Sequence, residues 1–277
     1  MSQPKHELNT DFVWRRREGS APRRLSRRQI DSYHAEGFLV IEDVFDAETL
    51  RQVTAEIDPW EEKVTRFLQT QEDGRFFIAR ADEITFTTHL VARSQHLREF
   101  CASMPFQELA HDLIGPDVRL YWDQAVYKKP GTAAPFPWHQ DNGYTYVEPQ
   151  QYLTCWVALT GATVDNGCPW VVPGLHTEGT LAHTMTDLGW NCFDGEPPGK
   201  VAAPVRAGGI VVFSSLTPHA TGPNTTDQTR KSYIVQFAPD GAVVREKGKD
   251  SDVWQRVAAD ASDRQFHVLR DGEAPGA

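Results

Sequence analysis

From Arg119 onward the chain breaks into short, strand-like runs, at 119–128, 136–142, 152–159, 169–172, 201–205, 209–214 and 230–237, separated by proline, glycine and asparagine. Such runs at this spacing predict an all-β sandwich or barrel. The chain before them reads differently. Ser26 is a good N-cap, Ile30, Tyr33 and His34 follow at helical spacing, and Gly37 stops the helix. Phe38-Leu39-Val40-Ile41 reads as a short strand, and Asp46 caps a second helix through Leu50, Val53 and Ile57. Helices first and strands after predict a helical part, 26–118, packed on a β core, 119–240, with 241–277 as a C-terminal extension of one domain. Residues 174–200, with Gly189, Gly195, Pro197, Pro198 and Gly199, read as a long loop of the kind that forms lids.

Residues 1–25 are polar and carry Arg15, Arg16, Arg17, Arg23 and Arg24 around Gly19 and Pro22. They are expected to be a solvated, flexible tail; a basic nucleic-acid arm is the alternative. The formal net charge of -10 argues against broad affinity for nucleic acid or an anionic membrane. No apolar stretch approaches the ~20 residues a spanning helix needs. Cys101, Cys155, Cys168 and Cys192 are scattered without a Cys-x-x-Cys pair, which excludes a disulfide framework and a thiolate zinc site and points to the reducing cytoplasm.

The tetrapeptide Trp138-His139-Gln140-Asp141 lies in the second strand-like run. Residues two apart in a strand share a face, so His139 and Asp141 can reach one metal ion together. An imidazole and a carboxylate are two members of the facial triad that holds iron(II) with positions left open. The spacing alone is common, and a strand-end His and Asp can equally make surface hydrogen bonds. Downstream, Gly208-Gly209-Ile210-Val211-Val212-Phe213 leads through Pro218 to His219, which places that imidazole at the rim of a core strand. Once Gly222, Pro223 and Asn224 have turned the chain, Arg230 opens the run Tyr233-Ile234-Val235-Gln236-Phe237. An arginine entering an interior strand needs an anionic partner, either a structural acid or a ligand carboxylate that its planar fork would match. Ser232 faces the same way and can add a hydroxyl.

With these residues in place, the run from Gln124 to Phe237 resembles the phytanoyl-CoA dioxygenase family of iron(II)/2-oxoglutarate oxygenases. The resemblance is carried, in the family's order, by Gln124 with Lys129-Pro130-Gly131, Trp138-His139-Gln140-Asp141, Trp156-Val157-Ala158-Leu159, Asn166-Gly167-Cys168, Val172-Pro173-Gly174-Leu175-His176, Pro218-His219-Ala220-Thr221-Gly222-Pro223-Asn224 and Arg230. Ile30 to Phe45 is similar to the family's N-terminal helix and strand. Leu175 departs from it, standing where serine is frequent.

The resemblance implies a mainly β fold, a double-stranded β-helix (jelly roll, cupin-like) with N-terminal helices and a metal at one mouth. It implies His139, Asp141 and His219 as the catalytic iron ligands and Arg230 as the partner of the distal carboxylate of 2-oxoglutarate. Gln124, Trp156 and Thr221, with Ser232 alongside, are expected to line the co-substrate pocket. Iron(II) is the implied cofactor, 2-oxoglutarate and O₂ the co-substrates, and ascorbate a useful reductant in vitro. Related halogenases replace the carboxylate ligand with a small residue, so retention of Asp141 implies oxygen insertion or desaturation. A coenzyme A thioester would want a basic groove, and no cationic cluster outside the N-terminal segment offers one; a smaller metabolite is expected, with no obligate protein partner.

Several other residues have ordinary roles available. His176 with Glu178 repeats a His-x-acid spacing but reads as a hydrogen-bonded loop histidine, and His89, His96 and His111 as packed or surface histidines. Phe76, Phe77, Trp190 and Phe193 suit a cavity wall or the core equally. Tyr144 and Tyr146 are candidates for a substrate contact, and Arg75, Arg80 and Arg93 could meet an acidic substrate, though solvated surface is the commoner fate of an arginine. Two competing functions remain: a zinc hydrolase, which leaves Arg230 and Ser232 without a role, and an inactive small-molecule-binding barrel, against which the intact ligand set argues.

Overall fold

The structure is a computed structural model that describes residues 3–16, 21–248 and 251–275. Arg17 and Gly19 of the expected tail lie outside the described residues.

Ser26 caps the helix Arg27–Glu36 in a capping box: its hydroxyl accepts from the Gln29 N–H, and the Gln29 side chain accepts from the Ser26 N–H at 2.9 Å. Gly37 ends the helix at φ 83°, and a Cβ there would lie 2.5 Å from His176 Nδ1 and 2.6 Å from Thr217 Oγ1. Only glycine meets both demands. The turn delivers Phe38–Ile41 to the edge of the main sheet, antiparallel to Ile210–Ser214. Asp46 accepts from the Thr49 N–H at 2.8 Å and starts the helix Ala47–Gln69, which buries Leu50, Val53, Ile57 and Leu68.

The main sheet has nine strands. Along it run Phe38–Ile41, Ile210–Ser214, Leu153–Ala158, Arg230–Pro239, Val118–Lys128, Ile84–Thr88, Ala79–Arg80 and Arg75–Phe76, with His267–Leu269 also paired to Val118–Lys128. Facing it is a four-stranded sheet in the order Val201–Ala202, Pro169–Val171, His219–Thr221, Phe136–His139. The chain crosses repeatedly between these two sheets, as in Ile210–Ser214, His219–Thr221 and Arg230–Pro239, and the fold is a double-stranded β-helix. The sheet also takes strands from outside 119–240, and those such as Ile84–Thr88 escape a sequence reading because so few residues show no period.

One face of the main sheet is covered by helices. Ala125, Tyr127, Cys155, Val157, Tyr233, Val235 and Phe237 pack there against Val53, Ile57, Leu97, Phe106 and Leu109. The alternate residues Val126, Trp156, Ala158, Val211, Phe213 and Ile234 point into the barrel. Covering both faces explains why all six residues of Leu153–Ala158 are buried and why that run lacks polar alternation.

The expected loop 174–200 contains a 3-10 turn, Leu175–Glu178, and a hairpin, Thr184–Thr186 with Gly189–Asn191. The described N-terminal residues lie against it. Asn9, which is buried, donates to the carbonyls of Thr180 (2.9 Å) and Glu178 (3.0 Å), and Tyr146 donates to the Leu8 carbonyl at 2.9 Å. Polar side chains in this segment satisfy loop backbone groups, a role that composition does not separate from solvation. No helix among the described residues is long and apolar enough to cross a membrane.

Phe106 is fully buried and packs edge-to-face on Phe100 and tilted on Phe45 and Phe237. Phe106→Ala is expected to cost about 3–5 kcal/mol in denaturant unfolding, since it empties the seam between the helices and the sheet.

Candidate metal centre

The strands Phe136–His139 and His219–Thr221 pair antiparallel with His139 directly opposite His219. Directly opposed residues share a face, and the two imidazole centroids lie 4.1 Å apart. Trp138 and Ala220, on the other face, belong to a separate apolar cluster with Phe193. Asp141 follows two residues after His139, at the start of the single turn Asp141–Tyr144, and its Oδ1 lies 3.8 Å from His219 Nε2. One ligand atom from each of His139, Asp141 and His219 falls within 4.8 Å of the other two. Among the described residues this is the one such cluster.

Each imidazole is fixed by its other nitrogen. His139 Nδ1 meets the Pro137 carbonyl at 2.8 Å and His219 Nδ1 the Thr217 carbonyl at 3.0 Å, which assigns the proton to Nδ1 and leaves both Nε2 lone pairs facing Asp141. Burial holds both rings neutral, pushing His139 down to about 3, with His219 as a second cause, and His219 down to about 4. Burial raises Asp141, the response of a carboxyl desolvated among neutral rings. A cation at the centre would favour the carboxylate and use both lone pairs, so the donor set fits a divalent metal.

Sequence reasoning missed what holds these ligands. Thr154 donates to Asp141 Oδ2 at 2.5 Å, and Gln236 Nε2 stands 3.3 Å from the Thr154 hydroxyl. Their signal was parity: Thr154 precedes Trp156 by two, and Gln236 follows Arg230 by six, on one strand face. Gln140, between the ligands and fully buried, donates to the Gly179 (3.0 Å) and Leu216 (2.6 Å) carbonyls and accepts from the Leu181 N–H (2.6 Å). Its own N–H donates to His183 Nε2 at 2.9 Å. The metal strand, the approach to His219 and the 174–183 loop are thereby tied together.

The candidate co-substrate residues share the barrel's inner face. Ile234 stands opposite Gln124 on one side and Trp156 on the other, and Arg230 and Ser232 precede it at even spacing. Arg230 is 1% exposed, and its guanidinium carbon lies 5.1 Å from the Trp156 ring centroid. Its Nη1 donates to Ser232 Oγ (2.6 Å) and the Val126 carbonyl (3.3 Å), whereas Nε and Nη2 have no partner. The Ser232 hydroxyl donates in turn to the Val126 carbonyl at 3.0 Å, so it orients the guanidinium. Thr221 follows His219 by two residues on the same strand. A buried guanidinium with two unpaired nitrogens is costly unless an anion joins it. That is the test a dicarboxylate co-substrate must meet, and the site meets it.

Tyr144 packs edge-on against His139 at 5.1 Å, whereas Tyr146 turns away and stacks on His6. His176 is buried behind the turn, near the His34 carbonyl and the Trp14 ring. His89 packs on Trp122 and His111 contacts Asp112. Phe76 and Phe77 are exposed, while Phe193 packs behind Trp138. Arg75 and Arg80 donate to the Asp187 carbonyl, joining the Arg75–Arg80 hairpin to the hairpin over the barrel mouth, and Arg93 lies over Trp60.

A model of the phytanoyl-CoA dioxygenase (PhyH) family matches residues 33–232, which is most of the chain. The chain belongs to the phytanoyl-CoA dioxygenase family. Members of this family are 2-oxoglutarate-dependent non-haem iron oxygenases. The chain is 27% identical over 220 residues to a methylphosphonate hydroxylase of Gimesia maris, covering 77% of this chain and 80% of that protein. It is 23% identical over 246 residues to a phytanoyl-CoA dioxygenase of Arabidopsis thaliana, covering 76% and 87%. In fold it is similar to the epimerase SnoN, whose crystal structure is a complex with Fe3+, alpha ketoglutarate and nogalamycin RO (TM-score 0.66, 23% identity, 86% and 96% covered). It is also similar to EvdO2 from Micromonospora carbonacea var. aurantiaca complexed with 2-oxoglutarate (TM-score 0.62, 24% identity, 84% and 96% covered).

Thr154→Val removes the donor that aims Asp141 and keeps the shape. It is expected to weaken metal affinity about 10–100-fold in a direct titration, with the melting temperature of the metal-free protein little changed.

Proposed function

We propose that this protein is an iron(II)- and 2-oxoglutarate-dependent dioxygenase that oxidises an unactivated C–H bond of a small-molecule metabolite and releases succinate and CO₂. In this reading residues 26–277 act as one oxygenase domain in the cytoplasm, where the four buried free cysteines stay reduced. The observation that carries it is the presence, in one barrel, of a His-Asp-His cluster on one sheet and a buried arginine with two free nitrogens on the facing sheet.

His139 and His219 would hold the metal through Nε2, and Asp141 through its carboxylate. Bound iron supplies the reduction of O₂, which takes two electrons from oxidative decarboxylation of 2-oxoglutarate and two from the substrate C–H bond. The chain's own residues set the geometry. Arg230 would grip the distal carboxylate, with Trp156 as a flat wall beneath the guanidinium, and Thr221 and Gln124 would line the pocket. Ser232 fixes the guanidinium before the ligand arrives, which reduces the ordering cost of binding. Thr154 and Gln236 do the same for Asp141. The barrel interior excludes water from the reacting centre.

Relatives named for small substrates, the methylphosphonate hydroxylase and a 2-aminoethylphosphonate dioxygenase, support a small organic substrate. The zinc-hydrolase reading leaves the buried Arg230 unexplained, and the inactive-barrel reading leaves the oriented ligand set unexplained.

The test is succinate release from protein reconstituted with iron(II), ascorbate and 2-oxoglutarate across a panel of candidate metabolites. His139→Ala and Asp141→Ala are each expected to abolish succinate formation and to lose bound iron. Undiminished turnover by either variant would contradict the assignment. Arg230→Met is expected to weaken 2-oxoglutarate binding by about 1.5–3 kcal/mol, the range for a charged hydrogen-bonding partner, read as a raised KM for 2-oxoglutarate.

A further inference from the structure

Lys128 ends the strand Val118–Lys128 and stands directly opposite Arg230 in the antiparallel ladder. Directly opposed residues project to one face, and like charges so placed repel each other. Both side chains are 1% exposed, so water does not screen the repulsion. Neighbouring lysines on the opposite face show the usual solution. Lys129 pairs with Glu61 at 2.6 Å and Lys231 with Asp58 at 2.8 Å. Among the described residues neither Lys128 nor Arg230 has a carboxylate within ion-pair distance. Lys128 Nζ donates to the carbonyls of Gly222 (2.5 Å) and Ala134 (3.3 Å) and lies 3.5 Å from Thr221 Oγ1. Thr221 is itself expected to line the co-substrate pocket. Burial, with Arg230 as a second cause, pushes Lys128 down to about 7, against a smaller upward pull from the Glu83 carboxylate, which is not in ion-pair contact with it. Two carbonyls and the Thr221 hydroxyl give each ammonium donor an acceptor, but all three are neutral and leave the buried charge itself uncompensated.

We propose that Lys128 is a second cation of the distal-carboxylate subsite: an anion between Lys128 and Arg230 relieves their repulsion, and Lys128 sets the preference for a 2-oxo diacid over a 2-oxo monoacid. The inference rests on the 2-oxoglutarate reading above. It deepens that reading by assigning a specificity residue that lies outside the Lys129-Pro130-Gly131 motif. Lys128 acts by charge, so its effect falls on ligands that carry the distal carboxylate and spares those that lack it.

The test uses full-length protein loaded with manganese(II) and kept free of oxygen, titrated calorimetrically with 2-oxoglutarate and with 2-oxopentanoate, which has a methyl in place of the distal carboxylate. Lys128→Gln keeps amide donors for the Gly222 and Ala134 carbonyls, and Lys128→Met is the second variant should that one fail to fold. Removing one charged partner is expected to weaken 2-oxoglutarate binding about tenfold or more, while 2-oxopentanoate binding stays unchanged. An unchanged diacid-to-monoacid ratio overturns the inference, whether both affinities hold or both fall together, since a purely structural lysine would affect both ligands alike. Wild-type protein that binds neither ligand would instead overturn the 2-oxoglutarate reading and this inference with it. A wild type that prefers the diacid, with variants that do so equally, overturns the Lys128 assignment alone.

Discussion

The antiparallel pairing of Phe136–His139 with His219–Thr221 is the constraint on which the site depends. Two imidazoles some eighty residues apart in the chain meet only because these strands are neighbours and in register. A shift of one residue would turn His139 toward the apolar cluster of Trp138 and Phe193 and away from His219. The register is held from outside the pair. Gln140 bonds across to the Leu216 carbonyl and to the 174–183 loop, and the described N-terminal residues brace that loop in turn. A segment far from the mouth in sequence thus bears on the geometry of the ligands.

Electrostatics divide the barrel interior into two regions. Around His139, Asp141 and His219 the rings are neutral and the carboxyl is desolvated, an arrangement that gains most from a cation. On the facing sheet Arg230 and Lys128 are buried with no carboxylate in ion-pair contact, an arrangement that gains most from an anion. A metal and a dicarboxylate offer each region what it lacks. The folded protein carries unfavourable burial at both sites, as is common where a site is built before its ligand arrives.

Much of the architecture was legible in short stretches. Ser26, Gln29 and Gly37 bracket the first helix through local hydrogen bonds and a positive φ, so neighbouring letters suffice. The strand runs were visible because each carries its own apolar pattern. Less legible were Ile84–Thr88 and the hairpin inside 174–200, whose strands are too short for a period to emerge. The polar N-terminal residues read as tail because their partners are backbone groups of a distant loop. At the site, the ligand residue types and Arg230 announced themselves through unusual chemistry in apolar surroundings. Thr154, Gln236 and Lys128 did not, since threonine, glutamine and lysine in strands are ordinary until their neighbours are known.

The sequence by itself determined which residues could act: a His-x-Asp pair at a strand end, a rim histidine after an apolar strand, and an arginine leading an interior one. It did so because local spacing sets which side chains share a face. Only the tertiary structure decided which of them meet, which tautomer each histidine holds, and that two cations stand together with no carboxylate of the described residues in ion-pair contact. Those outcomes depend on strand register and on burial, and both are properties of segments brought together from across the whole chain.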